Sequence, residues 1–357
     1  LGRARVETLR LPASVLGAGF ELVQIEADGV SQPLNFLLGT GFPVNALTPL
    51  GRDLIPTNTG SGEFKGGWLS QAVQAQKTTV RGAKFVGSGS EIGDLVDCDV
   101  LDLPQAQMCG MVGVEVHGIL GKPFFEMFDL DLDRYAQKVD LYQPGTAGGQ
   151  GFYSTVKHLP GLALPAGNLG VTVHARVIDE DTGETKDVSF LGMVDTAAAH
   201  SVINWEAAKL LGYEGRADGA LARATKVLGA NNQGQAEEMP VVLATFELGQ
   251  VRQGVATKMK EVSKEQWESK GGVGWYFEQL APKEGEENTK VKFGAVNVCI
   301  GDSLGLTVLD DSKIGPYTGP AAIIGQDVLF QAQRIVLNMR DREMWLEPGD
   351  VKDQEEM

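Results

Sequence analysis

Apolar positions along this chain alternate with polar ones, or gather in short runs of Val, Ile, Leu and Phe punctuated by Gly, Asn and Asp, along nearly its whole length. That is the signature of strands rather than helices. Residues 20–27 (FELVQIEA), the turn Asp28-Gly29 and residues 34–38 (LNFLL) predict a hairpin whose second strand ends in a buried apolar run. Residues 171–178 (VTVHARVI), the polar turn DEDTGE and residues 188–194 (VSFLGMV) predict another. One helix stands out: Asn204 caps WEAAKLL and Gly212 ends it, with Ala208 and Leu211 on one face.

The order of elements repeats. Gly118-Ile119-Leu120-Gly121 is followed by KPFFEMFDLDLDRYAQKVDLY, and Ile323-Ile324-Gly325 by QDVLFQAQRIVLNMRDREMWLE. Each landmark leads to an apolar strand, a turn at Asp133 or Asn338, and a closing strand, over 20 positions from Gly121 to Leu141 and 21 from Gly325 to Leu346. Two halves with one order of elements imply an internal duplication. The division expected is a first lobe over 1–142, a Gly-rich linker over 143–151 (QPGTAGGQG), a second lobe over 152–349 and an acidic tail over 350–357. The second lobe carries an extra stretch of about fifty residues, including KEVSKEQWESKGG and APKEGEENTK, expected to be a solvated loop or short surface helix.

Length agrees with two domains: 357 residues is about two units of ~100–200. The balance of 31 basic against 47 acidic residues, a net charge of −16, argues against a nucleic-acid or anionic-membrane surface. No apolar run approaches the ~20 residues that span a bilayer. Three cysteines in no zinc spacing and four scattered histidines offer little for a metal, so neither metal nor cofactor is expected. Cys98 and Cys109 flank an expected strand-turn segment, and their spacing leaves open whether they pair.

The apolar strand of the second half, Phe190-Leu191-Gly192-Met193-Val194, delivers Asp195-Thr196-Ala197, with Ser201-Val202-Ile203 following. This resembles the active-site loop of aspartic peptidases, the retropepsin-like group in particular. The later Ile323-Ile324-Gly325 is similar to that family's second motif, which packs behind the loop. The resemblance covers nearly the whole chain and implies a mainly β fold of two homologous barrel lobes facing a central cleft. It also implies a reaction with one aspartate from each lobe, sharing a proton and activating water, since two like charges so close cannot both ionise. At the matching place in the first half stand Phe36-Leu37-Leu38-Gly39-Thr40-Gly41. Gly39 replaces the first aspartate while Thr40 keeps the turn. No Asp or Glu lies between Leu34 and Leu50 to stand in, and Pro123 takes the place that Asp327 has in the second half.

Asp181-Thr182-Gly183 spells the family triplet too, but charged neighbours and a hairpin tip make it turn chemistry rather than a site. Flap candidates are residues 60–67, with Gly66, Gly67 and Trp68, and residues 229–235, with Asn232 and Gly234; each also reads as an ordinary hairpin turn. His200 lacks a nucleophile elbow nearby and is expected at the loop's partly exposed edge. These features favour an inactive aspartic-peptidase homologue serving as a protein-binding or structural subunit of a larger complex. The alternative is an active endopeptidase that pairs Asp195 with a carboxylate of another chain or of another part of the fold. An extended peptide held in the cleft is the expected partner in one version; in another, the aromatics Trp267, Trp275, Tyr276 and Phe277 of the insertion dock a protein. Leu1 in place of Met suggests a processed soluble protein of an organelle, with a plastid as a guess.

Overall fold

The computed structural model describes residues 4–11, 19–56, 59–64, 73–134, 136–150, 156–164, 167–178, 185–231, 236–252, 288–309, 317 and 319–349. The first half contributes β1 (Ala4–Arg10), β2 (Glu21–Glu26), β3 (Leu34–Leu38), β4 (Ala46–Leu47), β5 (Thr59–Phe64), β6 (Val73–Phe85), β7 (Glu91–Val100), β8 (Gly118–Leu120), β9 (Asp129–Asp133) and β10 (Lys138–Tyr142). The second half contributes β11 (Lys157–Pro160), β12 (Leu162–Ala163), β13 (Leu169–Ile178), β14 (Thr185–Val194), β15 (Val202–Ile203), β16 (Lys226–Ala230), β17 (Ala236–Gly249), β18 (Lys290–Ile300), β19 (Ala321–Ile324), β20 (Ala332–Asn338) and β21 (Glu343–Pro348). Six short helices accompany them among the described residues: α1 (Pro49–Leu54), α2 (Pro104–Met111), α3 (Lys122–Met127), α4 (Trp205–Leu210), α5 (Gly219–Ala222) and α6 (Gln326–Leu329).

Each half closes a six-stranded barrel. In the first the order is β2-β3-β8-β4-β7-β6, closed where Ile25 of β2 meets Phe85 of β6. In the second it is β13-β14-β19-β15-β18-β17, closed by β13 against β17. The mainly β, two-barrel architecture expected from the sequence is therefore present. Alternation decides which side faces in: Val173 and Ala175 of β13 are buried, as are Phe246 and Leu248 of β17. In the first barrel Phe85 and Phe124 meet edge to face at 6.1 Å, in the T-shaped arrangement that ring quadrupoles favour.

The repeated units after the two Gly landmarks do not close the barrels. They leave them and form a common sheet, β11-β21-β20-β9-β10-β1, in which β20 of the second half pairs antiparallel with β9 of the first. Arg334 on β20 grips Asp131 on β9 through both guanidinium arms, with Nε 2.6 Å from Oδ1. Strand β1 links this sheet to the first barrel, since Ala4 to Glu7 pair with β10 and Thr8 to Arg10 with β2.

Several local expectations change. Both predicted hairpins exist, but β13 and β14 run longer than the apolar pattern, from Leu169 and from Thr185. The expected strand-turn between Cys98 and Cys109 is helix α2, with Pro104 at its first turn, and all three cysteines are free and buried. In the described part of the Gly-rich segment, residues 143–150, the Asp129 carboxylate accepts from the amides of Gly145 and Ala147, and Ala147 packs with Tyr142, Val336 and Trp345. The glycine run 60–67 is strand as far as Phe64 rather than turn, paired with β6. Gly66, Gly67, Trp68, Asn232, Gly234, the Asp181-Thr182-Gly183 triplet, the aromatics 267 and 275–277, and the tail 350–357 lie outside the described residues.

Candidate functional site at the lobe junction

Strands β3 and β14 occupy the same place in their barrels, and each runs parallel to the strand of its own Gly motif, β8 or β19. The chain then turns sharply, at Gly39-Thr40-Gly41 in one lobe and Asp195-Thr196-Ala197 in the other. The turns are anchored alike: Gly39 N–H donates to Leu120 O at 2.9 Å and Asp195 N–H to Ile324 O at 3.0 Å. Glycine is needed at the end of each motif because the facing loop passes over it. A Cβ on Gly325 would lie 2.7 Å from the carbonyl oxygens of Ala198 and His200, and one on Gly121 would overlap the Val44 carbonyl.

The two turns are locked by their threonines. Thr40 N–H donates to Thr196 Oγ1 and Thr196 N–H to Thr40 Oγ1, each at 3.1 Å. The hydroxyls pass their own protons across the junction, Thr40 to Val194 O at 3.0 Å and Thr196 to Leu38 O at 2.6 Å. Every polar group of this buried crossing has a partner, as burial demands. The carbonyls of both threonines are also met, that of Thr40 by Asn168 Nδ2 at 3.4 Å and that of Thr196 by Gln326 Nε2 at 2.5 Å.

Asp195 is half-buried beside this crossing. Its Oδ1 accepts from Ala197 N–H at 2.8 Å and, across the junction, from Gly41 N–H at 3.1 Å. Burial pushes the carboxyl above the usual range and the two amides pull it partly back, the net direction being upward; no second charged group among the described residues acts on it. A Cβ on Gly41 would overlap the carboxylate, so a glycine there is what lets the amide approach.

At the corresponding turn of the first half, the space beside Gly39 is occupied by hydrocarbon. A Cβ on Gly39 would overlap Cδ1 of Ile119, lie 2.8 Å from its Cγ1 and stand 3.3 Å from Cβ of Ala197. Ile119 is fully buried in a cluster with Leu37, Phe42, Ala197 and Ala199, which draws on both lobes.

Behind the turns the halves solve one problem with different residues. In the second, Ser201 Oγ accepts from Gly325 N–H at 3.0 Å and donates to Asp327 at 2.6 Å, and Asp327 also accepts the Ser201 amide. In the first, Asn45 Oδ1 alone accepts from Gly121 N–H at 2.9 Å, and Pro123 stands where Asp327 would. Asn45 and Ser201 each lie six positions beyond Gly39 and Asp195, so aligning the two loops finds the pair. Ser201 already stands in the motif that carries the resemblance, whereas Asn45 does not, and neither Asn168 nor Gln326 is marked by the letters, since their roles depend on contacts across more than a hundred positions. His200 sits partly exposed at the loop's edge, where it was expected.

The architecture is mainly β, two closed six-stranded barrels whose final hairpins share one sheet. No family model matches the sequence, and no curated protein does. Among solved structures the chain is similar to basic 7S globulin from soybean, with 8% identity, a TM-score of 0.47 and coverage of 99% of this chain and 97% of that one. It is similar to conglutin gamma, a basic 7S globulin from lupine seeds, at 10% identity and 0.46, covering 99% and 96%. It is also similar to the aspartic proteinase of Irpex lacteus at 11% and 0.42, covering 98% of each. With TM-scores below 0.5 none of these bears on the chemistry, which the loops themselves must supply.

Proposed function

We propose that this chain is a catalytically silent protein of the aspartic-peptidase type, which keeps the two-lobed scaffold for binding or for a structural role in a larger assembly. The observation behind this reading is the apolar filling over Gly39: Ile119 covers the Cα from which a second carboxylate would project. The reaction needs one group to take a proton from water and another to give one to the carbonyl oxygen or the leaving amine. Each such contribution is worth ~10²–10⁴-fold. Asp195 has no acidic partner among the described residues, and both of the amides it meets act on one oxygen. It serves as the acceptor that ties Gly41 of the first lobe to the second.

The test is proteolysis of unfolded casein and peptide libraries at acidic pH, with pepstatin and Asp195→Asn as controls. No cleavage above background is expected. Cleavage abolished by either control would overturn the proposal and favour the alternative of an endopeptidase drawing a carboxylate from a second chain.

A further inference from the structure

We propose that His117 is an acid-sensitive latch on the first barrel, its neutral ring closing the start of the β3–β8 strand pair and a proton taken up in mild acid releasing it. The backbone creates the need. Both main-chain groups of Asn35 in β3 are met by residue 117: Asn35 O accepts from His117 N–H at 2.9 Å, and Asn35 N–H donates to Nδ1 of the His117 ring at 2.9 Å. The imidazole takes the place of a ladder carbonyl where the pair begins, one step before Phe36 aligns with Gly118. A ring nitrogen that accepts from an amide carries no proton, so the neutral ring holds its hydrogen on Nε2. His117 is 2% exposed, and its Nε2 is buried without a hydrogen-bond partner among the described residues.

A second proton has no place in this arrangement. On Nδ1 it would set one N–H against another, leave the Asn35 amide without its acceptor and put a charge on a ring already out of water. The Glu115 carboxylate, 4.0 Å from Nε2, is the one charged group among the described residues that acts on the ring, and at 68% exposed it is largely solvated. Strands β3, β4 and β8 carry no charged residue. On the other elements packed here the charges have partners of their own: Arg52 and Asp53 of α1 pair with each other, and Glu21 and Glu26 of β2 face Arg134 and Lys84. Burial outweighs Glu115 and holds the imidazole below the usual histidine range. The latch also lies under a helix. Thr48, the cap of α1, donates from its amide to His117 O and from its hydroxyl to Val116 O, both at 2.9 Å, and a Cβ on Gly51 would overlap the His117 carbonyl, so α1 rests on this stretch of backbone. The other end of the strand pair is the Gly39 to Leu120 bond. The latch thus acts on the first barrel and is independent of Asp195.

The ring's contribution to stability is present above its unfolded value, about pH 6.5, and is lost as pH falls through the folded one. Asp195, Asp129, Asp327 and Glu21 act in the opposite sense, so the readout must be local. The test is imidazole NMR with amide hydrogen exchange on the full chain, from about pH 7.5 to about pH 5. At the upper end His117 Nδ1 is expected to be unprotonated and Nε2 protonated. Towards the lower end the protection of the Asn35 amide should fall at least about tenfold, about 1.4 kcal/mol, while that of Val173 in the second barrel does not. His117→Gln, whose Oε1 accepts without titrating, should hold the protection flat, and His158→Gln on β11 should follow the parent. Glu115→Gln removes the carboxylate that favours the charged ring and should move the midpoint of the fall to lower pH, which keeps the latch testable if His117→Gln does not fold. A proton on Nδ1 at neutral pH, flat Asn35 protection in the parent, an equal fall in His117→Gln, loss of the fall in His158→Gln or an unmoved midpoint in Glu115→Gln would each overturn it.

Discussion

At the scale of single residues, Gly39 shows how a bare Cα in a buried turn is covered rather than left beside a gap. Once no side chain projects there, Ile119 packs over the bare Cα with Ala197, and dense packing is favoured wherever burial is complete. Restoring the acid alone is therefore expected to fail. Gly39→Asp must displace Ile119 from a filled site and bury a carboxyl beside hydrocarbon, at a cost of about 1–3 kcal/mol from overpacking. The expected result is a lowered urea midpoint and no casein cleavage, whereas Gly39→Asp with Ile119→Ala should recover the midpoint in part. Asp195 yields a pH test. Its carboxyl is held above the ordinary value in the folded chain, so the folded state binds that proton more tightly than the unfolded state. Its contribution to stability is complete below the unfolded value, about pH 4, and is lost as pH rises through the folded one. Asp195→Asn, whose Oδ1 still accepts from Gly41 and Ala197, is expected to be more stable than the parent at neutral pH. The difference should vanish below about pH 4, as read from urea midpoints across that range. Asp327, Asp129 and Glu21 are shifted in the same direction, chiefly by burial, so the parent should lose stability from pH 4 towards neutrality at these four sites together.

At the scale of elements, the junction is a unit made of two turns, each incomplete without the other. The threonine hydroxyls each accept from the opposite turn and donate to the opposite strand end. Thr40→Val and Thr196→Val are each expected to cost about 1–3 kcal/mol, because each leaves a buried donor and acceptor unmet. The double variant should cost clearly less than the sum, since both break one network, and a double-mutant cycle by chemical denaturation measures this. Helix α4 offers a contrast in which one side chain serves two elements. Asn204 caps it by accepting from Ala207 N–H at 2.9 Å, and the same oxygen accepts from Ala321 N–H of β19 at 3.0 Å. Its Nδ2 donates to Gly319 O at 2.7 Å. Asn204→Ala is therefore expected to cost more than the ~1 kcal/mol typical of a cap, while Asn204→Asp, which keeps only the acceptor, should fall between.

At the scale of the whole molecule, the described residues join the halves at the threonine crossing, in the apolar cluster around Ile119, and in the shared six-stranded sheet. The β9–β20 seam of that sheet carries Asp131, buried, with Arg334 bound to both of its oxygens. Asp131→Ala leaves the Arg334 guanidinium without that carboxylate and is expected to destabilise by about 3 kcal/mol. Calorimetry should then show whether the loss broadens the transition, as it would if the halves uncoupled, or shifts it whole, as one cooperative unit requires. Joins at several separate places make the whole shift the expected result.

Much of this was legible in the sequence because it depends on short range. The period-two pattern gave the hairpins, the Asn204 cap and Gly212 gave one helix, and two Gly landmarks at matching distances revealed the duplication. The absence of an acid at Gly39 can be read from the letters alone. The five other short helices were not, since four to eight residues give too little periodicity to register. Nor could letters show that the repeated units after each Gly landmark leave the barrels to build a common sheet, because strand pairing across some two hundred positions is chosen by the geometry of both lobes at once. The filling of the vacant place by Ile119 is of the same kind. The sequence by itself determined that Gly39 stands in the first half where Asp195 stands in the second, and only the tertiary structure decided that Ile119 packs over it, since packing is a property of neighbours in space and not along the chain.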